Sequence, residues 1–141
     1  MAADALVDTG AFLAVLDKSD AWHKACRSAF QQLRMPLVTS EAVLAELFHL
    51  VGPSWHQKAE AWRLIRSGAV LVSPLQHSDM DGVHDLMLRY SDQPMDFADA
   101  TLVYLAGRES ISTILTVDQT HFSTYRIHGK TRFRVLPIDH P

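Results

Sequence analysis

Two short apolar runs of the sequence are each followed directly by an aspartate, a placement that could build a cation site. Asp8 follows the run at residues 5–7, and Asp118 follows the run at residues 114–117. If these runs are strands of a parallel sheet, their carboxyl ends share one edge, where ligands bind in the crevice at which the strand order reverses. We therefore expect both carboxylates at one site.

Two predicted helices supply further acids. Glu46 borders the apolar stripe of its helix, so it either extends into solvent or points along the sheet edge toward Asp8. Asp96 and Asp99 are three residues apart, which places them on one helix face and predicts that both point inward. The alternative makes Asp96 an N-cap and Asp99 a first-turn acid that the helix dipole favours.

Carboxylates that converge in this way must be neutralised, by protons or by a cation. Oxygen ligands, with no cysteine and no histidine at metal-ligand spacing, favour Mg²⁺ or Mn²⁺ over zinc. Such a cation suits phosphodiester hydrolysis, because it neutralises the phosphate, lowers the pKa of a bound water and stabilises the leaving oxygen. The sequence has no Gly-x-Ser-x-Gly elbow and no credible Cys/His pair that would favour a covalent nucleophile.

The bulk composition is that of an ordinary globular protein, with 48% hydrophobic and 21% charged residues among 141. We expect one domain over residues 1–141. A single cysteine, Cys26, excludes a disulfide framework. The start lacks the features of a signal peptide, and no apolar run reaches the ~20 residues needed to cross a bilayer, so a cytoplasmic, non-membrane protein is expected.

The net charge of −3 disfavours a strongly basic nucleic-acid binder without excluding one. Four cations nevertheless fall within nine residues near the end of the chain: Arg126, Lys130, Arg132 and Arg134. They either form a solvated loop and edge strand or contact substrate phosphates. Arg126, Lys130 and Arg132 are the candidates for substrate binding.

Short apolar runs alternate with longer helical patterns along the chain. The predicted strands are residues 5–7, 37–39, 70–73, 114–117 and 133–136, and the predicted helices are residues 22–33, 41–51, 54–67, 78–90 and 95–108. Strands that alternate with helices of this length need crossover connections, which produce a parallel sheet. We predict a three-layer α/β/α domain with a central, mainly parallel sheet of about five strands.

Four segments resemble, in order and spacing, the motifs of PIN domains. They are Val7-Asp8-Thr9-Gly10-Ala11, Glu41-Ala42-Val43-Leu44-Ala45-Glu46, Met95-Asp96-Phe97-Ala98-Asp99-Ala100 and Leu115-Thr116-Val117-Asp118. More narrowly, they resemble the VapC-type toxins of bacterial and archaeal toxin–antitoxin pairs. Each motif alone is weak, whereas four in the right order are fairly specific, and the resemblance covers essentially the whole chain.

The resemblance implies a Mg²⁺- or Mn²⁺-dependent endoribonuclease that is often a homodimer and is held inactive by a small antitoxin. The acidic quartet of the family is matched by Asp8, Glu46, Asp99 and Asp118. Asp96 is an additional acid, expected to be a weaker ligand or a supporting group. Thr9 and Thr116 match hydroxyl positions that orient a carboxylate or a water. His121 is expected near the site without binding metal, and Phe122 in the core.

An antitoxin would need an apolar surface on the toxin. Trp55, Trp62 and Met87 are candidates for that contact, although the other interpretation places each of them in the core. A housekeeping PIN nuclease without an antitoxin is an open alternative.

Other α/β proteins also gather acids at strand ends. A phosphoryl-accepting receiver domain is disfavoured, since it needs an Asp after the third strand and a Lys after the fifth, and the runs at residues 70–74 and 133–137 contain neither. A haloacid-dehalogenase-like phosphatase needs Asp-x-Asp where this chain has Asp8-Thr9-Gly10. A non-catalytic α/β binding module, with the acids as caps and surface groups, stays open because a fold alone does not confer activity.

Overall fold

The computed structural model describes residues 3–141, in which seven short strands form two sheets. The strands are β1 (Leu6–Val7), β2 (Leu37–Thr39), β3 (Val70–Val72), β4 (Thr113–Leu115), β5 (Arg126–Ile127), β6 (Thr131–Arg132) and β7 (Arg134–Leu136). The main sheet has the order β3-β2-β1-β4-β7, and every neighbouring pair in it is parallel. The five-stranded parallel sheet predicted from the sequence is confirmed.

The helices cover both faces of this sheet. They are α1 (Thr9–Leu16), α2 (His23–Gln32), α3 (Glu41–Val51), α4 (Trp55–Arg66), α5 (Met80–Arg89), α6 (Phe97–Glu109) and α7 (Gln119–Thr124). Side chains alternate along a strand, so Leu6 enters the apolar cluster under α5, α6 and α7, whereas Val7 enters the cluster under α1, α2 and α4. The predicted three-layer α/β/α architecture is confirmed.

Some elements differ from the prediction. The sequence pattern does not predict α1, because its residues are almost all apolar and leave no polar face that would mark a helical period. The strand expected at residues 114–117 ends at Leu115. Its neighbour β7 ends at Leu136, and the following Pro137 has no N–H to continue the ladder. Asp118 therefore lies on a short loop rather than directly at a strand end.

The strand order places a crevice beside β1. From β1 the chain moves to β2 and β3 on one side of the sheet, and later to β4 and β7 on the other. The order therefore reverses between β1 and β4, whose carboxyl ends are joined by a 3.0 Å hydrogen bond from the Asp8 N–H to the Leu115 carbonyl. This is the position at which parallel sheets bind ligands. In the part of the chain that the structure describes, no helix is both long and apolar enough to cross a bilayer.

Candidate active site

Asp8 occupies the carboxyl end of the central strand and is almost fully buried, with 6% of its surface exposed. It is the N-cap of α1 and accepts a 2.7 Å hydrogen bond from the Thr9 N–H. Its other oxygen accepts a 2.9 Å hydrogen bond from the Thr116 hydroxyl. Burial raises the pKa of Asp8 to about 6, and the charges of Asp118 and Glu46 add to this rise while the two hydrogen bonds oppose it.

Asp118 is held to the same edge of the sheet by Thr116. The Asp118 N–H donates a 2.9 Å hydrogen bond to the Thr116 hydroxyl oxygen, so this single buried hydroxyl links the ends of β1 and β4. The Asp118 carboxylate is half-buried, and His121, one turn along α7, places its Nδ1 2.6 Å from Asp118 Oδ1. As expected, His121 lies beside the acids, and the adjacent Phe122 is fully buried.

Glu46 comes from α3 on a different part of the chain. Its half-buried carboxylate accepts a 2.8 Å hydrogen bond from the Thr9 hydroxyl at the start of α1. Of the two orientations left open by the sequence, the structure therefore has Glu46 directed along the sheet edge toward Asp8.

Asp96 and Asp99 form a capping box at the start of α6. The Asp96 carboxylate accepts from the Asp99 N–H at 2.8 Å, and the Asp99 carboxylate accepts from the Asp96 N–H at 3.3 Å. The expectation that both acids point inward from one helix face is wrong for Asp96. It is exposed and has extended backbone geometry, because as the N-cap it precedes the helix.

Asp99 faces the other acids. It is half-buried, and burial together with the charges of Asp8, Asp96 and Asp118 raises its pKa to about 8. The end of β1, the start of α6, the loop after β4 and helix α3 thus contribute carboxylates that influence one another. We call this set the acidic cluster; its members are Asp8, Glu46, Asp99 and Asp118.

The chemistry of the acidic cluster fits a hard divalent cation. The donors are carboxylate oxygens, and burial together with neighbouring acids raises the pKa of Asp8 and of Asp99, so a cation beside them would favour their charged forms. Among residues 3–141, however, no three His, Cys, Asp or Glu side chains are close enough to surround one ion. Mg²⁺ commonly keeps several waters and uses one or two carboxylates, so the arrangement fits a partly hydrated ion and not an all-protein cage.

Of the candidate substrate-binding cations, one is engaged in contacts within the protein and two are exposed. Arg126 Nη1 donates to the carbonyls of Ser123, Thr124 and Tyr125 at 2.8–3.1 Å, so its guanidinium closes the end of α7. Lys130 and Arg132 are exposed on the β5–β6 hairpin, which the sequence pattern does not predict.

The hairpin turn packs away from the acids. His128 Nε2 lies 3.2 Å from the Gly107 carbonyl. Gly107 is eight residues after Asp99 in α6, which is roughly 12 Å along the helix axis. Lys130, in the same turn, is therefore remote from the acidic cluster.

The three apolar residues considered for partner contacts are all exposed. Trp55, Trp62 and Met87 have 70%, 44% and 37% of their surface accessible, so the interpretation that places them in the core is wrong. The Trp62 ring stacks on Phe48 with ring centroids 5.2 Å apart. Trp62 also lines an open groove on α4 together with Trp55.

Sequence analysis missed one residue beside the cluster. Tyr125 is fully buried, and its hydroxyl is the one buried side-chain polar atom without a hydrogen-bond partner among the described residues. Its position four residues after His121, at the end of α7, is the signal that could have identified it.

Comparison with known proteins identifies the family of the chain. The PIN domain family model matches residues 5–127. Ribonuclease VapC26 of Mycobacterium tuberculosis is 34% identical over 142 residues, which cover 94% of this chain and 99% of the relative.

Solved structures with the same fold are more distant in sequence. The M. tuberculosis toxin VapC20, described as cleaving the sarcin–ricin loop, superposes with a TM-score of 0.74 at 20% identity, over 84% of this chain and 94% of its own. A chain of a toxin–antitoxin complex from Klebsiella pneumoniae gives a TM-score of 0.70 at 14% identity, over 98% and 100%. With a family model that spans most of its length and a curated relative of 34% identity, the chain belongs to the PIN domain family, among the VapC-type proteins.

Proposed function

We propose that the protein is a Mg²⁺- or Mn²⁺-dependent endoribonuclease that hydrolyses RNA at the acidic cluster. The supporting observation is that Asp8, bonded to Thr116, and Glu46, bonded to Thr9, meet at the edge of the sheet where the strand order reverses. There burial and neighbouring acids raise the pKa of Asp8 and of Asp99. The ribonuclease name of the 34% identical relative supports RNA as the substrate. A housekeeping role and a toxin role share this chemistry.

The cation would be held directly by Asp8 and Asp118, with Asp99 and Glu46 acting on it through its waters and Asp96 a weaker contributor. When bound, it supplies charge neutralisation at the scissile phosphate and an activated water. The reaction forms a bond from a water oxygen to phosphorus and breaks the bond from phosphorus to a ribose oxygen. The water gives up one proton, and the leaving oxygen gains one.

The remaining residues of the site fix the carboxylates. The Thr116 hydroxyl orients Asp8 and accepts a hydrogen bond from the Asp118 N–H. The Thr9 hydroxyl orients Glu46. Such supporting hydrogen bonds hold ligands in position and are commonly worth a tenfold or larger effect on metal affinity or activity. Because Asp8 is nearly inaccessible to solvent, its charge acts at reduced dielectric screening on whatever binds beside it.

Substitution of one carboxylate tests the proposal. In Mg²⁺ or Mn²⁺, the wild-type protein should cleave RNA, and Asp8→Asn should reduce the rate on the order of 100-fold or more while the protein stays folded. The matched control is Asp17→Asn, the same change at the opposite end of α1, where the carboxylate contacts only Ser19 in local hydrogen bonds. Cleavage that survives in Asp8→Asn would show that the site is misplaced.

The non-catalytic alternative makes a different prediction. If the acids were only caps and surface groups, the wild-type protein would neither cleave RNA nor bind Mn²⁺, and Asp8→Asn would change neither property. Calorimetric titration with Mn²⁺ therefore separates the two cases when no RNA is cleaved. A nuclease tested on the wrong RNA still binds Mn²⁺, whereas a non-catalytic binding module does not.

A small antitoxin is proposed as the protein partner, docked on the exposed aromatic face of α4. The support is the fold shared with a chain of a toxin–antitoxin complex, together with the open groove lined by Trp55, Trp62, Arg63 and Arg66. Because the groove contains both tryptophan and arginine side chains, it favours a partner segment that carries both apolar and acidic side chains.

Co-expression with the protein encoded beside it tests this surface. Trp55→Ala combined with Trp62→Ala should abolish co-purification, whereas Met87→Ala on α5 should not. Recovery of the complex with both tryptophans removed would exclude this face. The homodimer expected from the resemblance is tested separately by light scattering, which should give twice 15.8 kDa.

A further inference from the structure

Three of the four carboxylates in the acidic cluster have a side-chain hydrogen-bond partner. The pairs are Asp8 with Thr116 at 2.9 Å, Glu46 with Thr9 at 2.8 Å and Asp118 with His121 at 2.6 Å. The fourth, Asp99, receives only the backbone N–H of Asp96, at a long 3.3 Å. One member of the cluster thus lacks the support that the other three have.

The structure also contains a buried hydroxyl without a partner, that of Tyr125, which directly follows α7. Its ring is packed edge-on against Tyr90 and Phe122, with centroids 5.0 and 5.2 Å away, and lies nearly parallel to His121 at 6.4 Å. These contacts fix the ring and hence the direction of the hydroxyl. A buried hydroxyl without a partner destabilises the fold, so a partner is expected when the protein works.

The position of Tyr125 follows from its neighbour His121. The two rings lie nearly parallel with centroids 6.4 Å apart, and His121 Nδ1 is 2.6 Å from Asp118 Oδ1, so Tyr125 borders the acidic cluster. Burial raises the pKa of Tyr125 most, and of the four acids that add to this rise Asp99 contributes most. The unpaired donor and the unsupported acceptor adjoin the same site.

We propose that Tyr125 is a positioning residue of the acidic cluster, whose hydroxyl donates the hydrogen bond that orients Asp99 when the cluster holds its cation. The inference rests on the proposed metal site. It assigns to Asp99 the kind of support that Thr116, Thr9 and His121 give to the other three acids. Such outer contacts fix a ligand's orientation and typically change metal affinity 10- to 100-fold when they are removed.

Removal of one oxygen atom tests the inference. Mn²⁺ titrated calorimetrically into Tyr125→Phe should bind at least about tenfold more weakly than into the wild-type protein. Tyr104→Phe is the matched control, because its hydroxyl donates to Asp79 at 2.6 Å, outside the cluster, and it should bind Mn²⁺ within about twofold of wild type. Without metal, Tyr125→Phe should be no less stable than wild type, since it loses no hydrogen bond.

The Asp99→Ala background separates the possible outcomes, because alanine has no acceptor for the Tyr125 hydroxyl. There, Tyr125→Phe should weaken Mn²⁺ binding no further, because the two residues act through one contact. Unchanged binding in Tyr125→Phe, or an additional loss in the Asp99→Ala background, would overturn the inference and leave the proposed function intact. A wild-type protein that binds no Mn²⁺ would instead contradict the proposed metal site itself.

Discussion

At the scale of single residues, Thr116 is the residue that contacts two of the acids through one buried hydroxyl. It donates to the Asp8 carboxylate and accepts from the Asp118 N–H. A residue with both a donor and an acceptor function is needed at this point, and valine, of the same shape, offers neither. The hydroxyl also lowers the pKa of Asp8 against the effect of burial.

Thr116→Val should therefore raise the pKa of Asp8 and reduce the cleavage rate about tenfold, with a loss of about 1–2 kcal/mol in the free energy of unfolding. The control is Thr39→Val, where an equally buried hydroxyl donates to the Val7 carbonyl at 2.9 Å and contacts no carboxylate. It should lose stability but retain activity. Equal cleavage rates in the two variants would show that Thr116 has only a structural role.

Sequence reasoning predicted some of these residues and missed others for identifiable reasons. Asp8 follows from its place after an apolar run, since the edge of a parallel sheet is set by topology. For Asp96 two interpretations stayed open, an inward-facing acid and an N-cap, because spacing alone does not distinguish a residue in the first turn from the cap before it. The structure confirms the N-cap. Tyr125 was missed because an aromatic residue near the end of a helix ordinarily fills the core, and only the coordinates show its hydroxyl without a partner.

At the scale of elements, the β5–β6 hairpin is the main addition to what the pattern predicted. Its strands are two residues each, too short for an alternating signal, whereas the longer helices α3 and α4 were predicted with nearly correct bounds. The hairpin exposes Lys130 and Arg132, and Lys130, in the turn, is remote from the acids. Such a surface suits contacts with the flanking part of an RNA rather than with the scissile phosphate.

Charge reversal of Lys130 and Arg132 to Glu should therefore weaken RNA binding and flatten its salt dependence while leaving the rate at saturating RNA unchanged. Arg126 is left unaltered, because its guanidinium closes α7. Reversal of Lys18 and Lys24, both exposed in the layer on the opposite face of the sheet, is the control. Binding measured against salt with an unaltered slope in the hairpin variant would exclude this surface.

At the scale of the whole molecule, the charged form of the acidic cluster lowers the free energy of unfolding. Asp8 and Asp99 have pKa values of about 6 and about 8, against an ordinary value of 3.8. At pH values between the ordinary pKa and the raised pKa of each group, the folded protein binds a proton that the unfolded chain does not. The free energy of unfolding therefore falls as the pH rises. For Asp8 alone the shift corresponds to a cost on the order of 3 kcal/mol at alkaline pH.

The metal-free protein should accordingly lose stability between about pH 4 and about pH 8, and Asp8→Asn should remove part of that loss. Added Mn²⁺ should stabilise the wild-type protein more at pH 8.5 than at pH 5, since it competes with the protons. Urea unfolding across this range checks both statements. An Asp8→Asn variant that is less stable than wild type at pH 8.5 would contradict the cost assigned to this carboxylate.

The position of a bound ion decides whether the four acids act together. A crystal soaked in Mn²⁺ should show an anomalous peak at the carboxyl ends of β1 and β4, about 2.1 Å from oxygens of Asp8 and Asp118. Asp99 should lie directly or through water against the same ion. An ion bound elsewhere, or no peak at the acidic cluster under saturating Mn²⁺, would contradict a metal-dependent nuclease at this site.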